Sequence, residues 1–138
     1  MRIILCDDDT AFTQVFAKRL LTVFKKYGIT SEIVSAHTGV EALREITRRQ
    51  ADVLFIDSVM PEKDGVWVAE ELSAMPSKPL IIFLSGMENL VYQSFAFQPF
   101  WFLRKTHLED LPRISEKMIQ LLTNRQMPAT VTMNGCST

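Results

Sequence analysis

Short apolar runs alternate with stretches of helical periodicity along most of this 138-residue chain. Residues 3–6 (IILC), 53–56 (VLFI) and 80–84 (LIIFL) are uninterrupted and contain β-branched types, so they read as strands buried on both faces. Phe12, Val15, Phe16, Leu20, Val23, Phe24 and Tyr27 recur at helical spacing, and Gly28 supplies a C-terminal stop. A short strand over 32–36 precedes Thr38 and Glu41, which match a capping box, and Val40, Leu43 and Ile46 continue one helical face. After a strand over 52–57 and a turn-rich segment over 58–64, Asp64 can cap a third helix carrying Val66, Ala69 and Leu72. Beyond the fourth strand come a weaker helix over 87–95 and a strand over 97–103. A second capping box, Thr106 to Glu109, then opens a helix through Leu111, Ile114, Met118 and Leu121. Five βα units of this length predict a doubly wound α/β fold: a parallel sheet with helices on both faces, where right-handed crossovers put them.

An apolar content of 47% over this length suits one domain with a single core, burying roughly two thirds of the unfolded surface. A net charge of -1 provides no basic field for nucleic acid, so any DNA contact must come from sequence outside this chain. The apolar stretches fall far short of the roughly 18 residues that span a bilayer, and the start MRIILCDDD lacks a signal peptide's hydrophobic region and cleavage site. A cytoplasmic protein without membrane contact is expected. Cys6 sits in a predicted strand and Cys136 in the tail, without metal-ligand spacing, and both are expected to remain thiols; His37 and His107 offer no paired ligands and read as surface residues. From about Asn124 the pattern fades, and Thr130 to Met133 reads as a stray strand or the start of a further domain. The domain is therefore placed at residues 1–123, with 124–138 a linker or a truncated beginning.

Asp7, Asp8 and Asp9 directly follow the first apolar run, and Asp57 ends the third strand. In open α/β sheets ligands gather at the carboxyl ends of the strands, and two adjacent parallel strands would bring Asp7, Asp8 and Asp57 together. Carboxylates crowded in this way raise one another's pKa unless a hard cation such as Mg2+ neutralises them through oxygen ligands. The alternative is that Asp7 to Asp9 cap a helix and Asp57 opens a loop.

Four motifs, "IILCDDD", "DVLFIDSVMPEKDG", "IIFLSG" and "FLRK", stand at the ends of strands one, three, four and five. Their joint order and spacing resemble the CheY-like receiver domain of bacterial two-component response regulators, over about residues 1–122. The resemblance implies a flavodoxin-like sheet of strand order 2-1-3-4-5. It implies Asp57 as phosphoacceptor, Asp8 as a direct Mg2+ ligand, Asp7 as an acidic-pocket residue, Val59 as a ligand through its carbonyl, and Ser85 and Lys105 in contact with the phosphoryl group. Elementary chemistry agrees, since phosphoryl transfer needs charge neutralised on the equatorial oxygens, and a divalent cation with a fixed ammonium supplies this. Taken singly, Lys105 reads as a solvated charge at a strand end and Ser85 as an ordinary strand-end hydroxyl.

Thr106 stands where the family usually has proline, and the family's aromatic switch position, which the resemblance pairs with Ser85, falls on Phe102, a ring without a hydroxyl that equally suits a core. Phe95, Phe97, Phe100, Trp101 and Phe102 crowd into eight residues, so some rings are expected at the surface formed by helix four, strand five and helix five. Receivers usually meet partners there, which implies a phosphorylation-dependent homodimer, and a sensor histidine kinase is the implied phosphodonor. The wording "PF.F.RK" is similar to receivers joined to LytTR-type DNA-binding domains, so transcriptional control through a C-terminal output domain is expected. The competing enzyme reading, a haloacid dehalogenase-type phosphatase, needs a second aspartate two residues after the first, where this chain has Val59; no enzymatic turnover is expected. A degenerate receiver serving only as an interaction module is disfavoured by the presence of Asp7, Asp8, Asp57, Ser85 and Lys105.

Overall fold

The computed structural model describes residues 1–57, 65–85, 101–105 and 108–126. Its strands are β1 (Arg2–Cys6), β2 (Glu32–Ala36), β3 (Val53–Asp57), β4 (Leu80–Ser85) and β5 (Trp101–Arg104). All pair in parallel, in the order β2-β1-β3-β4-β5. Helices α1 (Thr10–Lys26), α2 (Gly39–Arg48) and α3 (Gly65–Leu72) connect them, and a 3-10 turn (Leu108–Asp110) leads into α4 (Leu111–Gln126). This is the doubly wound, flavodoxin-like α/β sheet expected from the alternating runs. The predicted helix over 87–95, Asp64, Thr106, His107 and Cys136 lie outside the described residues.

Strand alternation divides the core in two. Ile3, Leu5, Val53, Phe55, Ile82 and Leu84 meet α1 and α4 on one face. Ile4, Cys6, Leu54, Ile56, Ile81 and Phe83 meet α2 and α3 on the other. Apolar side chains on both faces are why β1 and β3 read as continuous hydrophobic runs.

The helices begin and end where local chemistry directs. Asp9 caps α1, its carboxylate accepting from Phe12 N–H. At the other end Gly28, at φ 71°, donates to Lys25 O, while Ile29 N–H reaches back to Phe24 O; only glycine takes that left-handed turn at no cost. Thr38 caps α2 by accepting from Glu41 N–H at 3.1 Å.

Several expected faces are rotated. On α1 the buried residues are Thr13, Phe16, Leu20 and Phe24, whereas Val15 is 53% exposed and Tyr27 is also exposed. On α2 the buried set is Gly39, Ala42 and Ile46, with Val40 outside; on α3 it is Gly65, Val68, Ala69 and Leu72, with Val66 half-buried. On α4 Leu122 is buried and Leu121 is 40% exposed. Eleven residues at 100° each return nearly to the angle of Leu111, and ten do not.

Candidate functional site

The carboxyl edge of the sheet assembles the acids. Cys6 of β1 lies opposite Ile56 of β3, so Asp7 and Asp57 emerge side by side. Asp7 N–H continues the β1–β2 ladder by donating to Ala36 O at 3.1 Å. One carboxylate oxygen from each of Asp7, Asp8 and Asp57 lies within 4.8 Å of the others. Asp7 is fully buried and Asp57 nearly so, while Asp8 faces solvent.

Lys105 follows directly on β5, and β5 stands two strand spacings from β3, about 9.6 Å. The long lysine stem crosses that gap: Nζ lies 3.0 Å from Asp57 Oδ2 and 2.6 Å from Asp7 Oδ2. The contact to Asp57 is a hydrogen bond. The contact to Asp7 is a close ion pair without hydrogen-bond alignment, so Asp7 Oδ2 is buried with lone pairs still to be satisfied.

Burial and neighbouring charge act together on Asp7, Lys105 and Cys6. Burial pushes the Asp7 carboxyl above its ordinary value, opposed by the Lys105 ammonium and by Asp9 N–H. For Lys105, burial pulls downward, but the attraction of the Asp7 and Asp57 carboxylates outweighs it and holds the ammonium above its usual range. Burial, then the charge of Asp7, pushes the Cys6 thiol up to about 12. Its Sγ donates to Thr38 O at 3.3 Å, so the residue beside the site is no nucleophile at neutral pH. Three carboxylates against one ammonium leave an excess of negative charge, and with the unsatisfied Asp7 Oδ2 this donor set fits a small, hard divalent cation.

Of the residues singled out from the sequence, Asp7, Asp8, Asp57 and Lys105 converge. Ser85 ends β4 opposite Arg104 of β5, and Phe102 lies on β5 opposite Phe83, each placed by its backbone. Val59 falls outside the described residues. Asp9, offered by the sequence as a helix cap, proves to be one, and Phe12 and Gly65 contribute without having been anticipated. Asp9 joins the site to α1: its N–H donates to Asp7 Oδ1 at 2.9 Å and its Oδ1 accepts from Phe12 N–H at 3.0 Å. Within the acidic triplet Asp9 is thus the cap, while Asp7 and Asp8 converge with Asp57. Phe12 lies with its ring 4.9 Å from Lys105 Nζ. Gly65 opens α3 against the site strand, where a Cβ would stand 2.6 Å from Asp57 O and 2.9 Å from Phe83 Cε1. The Asp-Gly pair at 64–65 was the visible signal for Gly65; Phe12 had none, being one apolar residue among many on α1.

The chain is similar to known proteins in the same terms. The profile of the response regulator receiver domain matches residues 3–114. An uncharacterised response regulatory protein of Vibrio cholerae is 28% identical over 127 residues, covering 91% of this chain and 48% of that protein. The transcriptional regulatory protein YpdB of Escherichia coli is 23% identical over 137 residues, covering 96% of this chain and 54% of its own length. The chain therefore spans about half the length of the curated relatives it matches. Among solved structures, the N-terminal domain of an uncharacterised protein of Wolinella succinogenes superposes with a TM-score of 0.77 at 22% identity, covering 91% of this chain and 99% of that one. The response regulatory domain of MrkE from Klebsiella pneumoniae gives 0.73 at 21% identity, covering 90% and 99%. The resemblance carried by the four strand-end motifs holds, and the chain belongs to the response regulator receiver domain family of two-component systems.

Proposed function

We propose that Asp57 is the phosphoacceptor of this receiver and that Mg2+ is its cofactor. The observation that carries the reading is the convergence of Asp7, Asp8 and Asp57 with Lys105 bridging two of the three. Asp7, Asp8 and Asp57 would hold the cation, joined by the carbonyl of Val59. When bound, Mg2+ neutralises charge on the phosphoryl oxygens. An Asp57 oxygen attacks phosphorus as the donor's P–N or P–O bond breaks, and the leaving group keeps that electron pair. Lys105, already 3.0 Å from Asp57 Oδ2, is within reach of an oxygen on the incoming group, and Ser85 is assigned a second contact to it. Asp7 binds as an anion, and Lys105 and Asp9 N–H keep it oriented before the transfer.

A sensor histidine kinase is the proposed donor. The chain acts as a switch, without turnover of its own, and its effect on transcription is assigned to an output domain beyond residues 1–123. NMR titration of the wild-type chain with beryllofluoride and Mg2+ tests the phosphoacceptor reading. With Mg2+ already saturating, beryllofluoride should move the amide shifts at Asp7, Asp57 and Lys105 and leave those of Asp57→Asn still; a wild-type spectrum that beryllofluoride leaves unchanged contradicts the reading.

A further inference from the structure

A closed circuit of contacts leaves the acidic triplet and returns to it. Asp9 N–H donates to Asp7 Oδ1 at 2.9 Å, and Asp9 Oδ1 accepts from Phe12 N–H at 3.0 Å. The Phe12 ring lies 4.9 Å from Lys105 Nζ, which stands 2.6 Å from Asp7 Oδ2. Phosphoryl transfer as such asks for no phenyl ring at this point. We infer that Phe12 is a positioning residue for Lys105, its π face holding the ammonium at the carboxylates where a group on Asp57 meets it. The inference rests on the phosphoacceptor reading above.

Three features make the ring more than a neighbour. Lys105 is only 22% exposed and Phe12 is half-buried, so the cation meets the ring where water screens it weakly. The ring is braced, stacked on Phe16 at 5.3 Å, and Phe16 meets Phe55 edge-on at 5.2 Å, two residues before Asp57. Its backbone is pinned by the Asp9 cap, which also holds Asp7. A lysine stem with four rotatable bonds gains orientation only from such fixed partners. A ring attracts a cation through its quadrupole, so the effect follows electron density on the ring face and not ring volume alone.

That dependence gives the test. Phe12 is replaced in the full chain by mono-, di- and trifluorinated phenylalanine, which keep the shape and apolar character of the ring while draining its negative face. The rate of Asp57 phosphorylation by acetyl phosphate at saturating Mg2+ is measured beside the thermal midpoint. The rate is expected to fall stepwise to about three- to tenfold below wild type at constant midpoint. Phe12→Tyr should keep the rate, and Phe12→Leu should match the trifluorinated form. A flat rate across the series, or one that follows the midpoint, overturns the role of Phe12. Absence of phosphorylation in wild type overturns instead the reading on which it rests.

Discussion

Asp7 carries two opposed demands. Burial raises its pKa, so the folded chain favours the proton: the stability tied to this group is present below the ordinary aspartate value of 3.8 and is lost as pH rises through the raised one. At neutral pH the ionised carboxylate is therefore a load on the metal-free fold, and the proposed Mg2+ would relieve it. Asp7→Asn is expected to raise the thermal midpoint of the metal-free protein while weakening Mg2+ binding by about tenfold or more, checked by calorimetry and Mg2+ titration. A lowered midpoint contradicts this. Gly65 has the opposite character, a residue defined by what it lacks. A methyl group 2.6 Å from Asp57 O must displace backbone, so Gly65→Ala should cost about 1–3 kcal/mol in urea unfolding and slow phosphorylation by shifting Asp57. The sequence shows Asp7 and the Asp-Gly pair at 64–65, but the load on Asp7 needs its burial known and the cost at Gly65 needs the approach of β3.

Elements are joined at the far edge of the sheet by a buried cation. Arg2, at the start of β1, donates to Glu45 O at 3.1 Å and Arg49 O at 2.6 Å, closing the C-terminal end of α2, and pairs with Glu45 Oε1 at 2.8 Å. Arg48, then Arg2, holds the Glu45 carboxyl below its usual range despite some desolvation. The stability from that depression is present above 4.5 and is lost as pH falls through the lower value, so this pair contributes to acid unfolding. Arg2→Met should cost about 2–3 kcal/mol in urea unfolding, with phosphorylation of the folded fraction unchanged because the change lies at the opposite edge from Asp57. A loss under 0.5 kcal/mol, roughly the scale of an ordinary surface change, would remove the structural role given to Arg2. β1, β3 and β4 were legible because unbroken apolar runs of that length suit a sheet covered on both faces. Helix faces were less so, since an apolar stripe on α1 or α2 is wider than the line touching the sheet, and only packing separates Leu121 from Leu122 or Val40 from Ala42.

For the whole molecule, the convergence of the acids was legible because strand ends in a parallel sheet meet at one edge, whatever the loops between them do, while Lys105 was placed with them by the family resemblance alone. Asp9 was legible as a cap of α1, but its bond to Asp7 and the place of Phe12 were not, since each depends on how α1 leaves that edge. Among the described residues no helix is long and apolar enough to cross a membrane. β5 is the last strand of the sheet and carries Trp101. We expect phosphorylation to promote self-association on that side, and Trp101→Ala to weaken the dimer by about 2 kcal/mol in sedimentation equilibrium; unchanged association in a folded variant places the interface elsewhere. The central claim, a Mg2+-dependent phosphoacceptor at Asp57, is met most directly by peptide-mapped mass spectrometry after acetyl phosphate treatment with Mg2+ or with chelator. A single phosphoryl group is expected on Asp57, appearing only with Mg2+ and absent from Asp57→Asn. Phosphate at another residue, or labelling of Asp57 that ignores chelation, would contradict it.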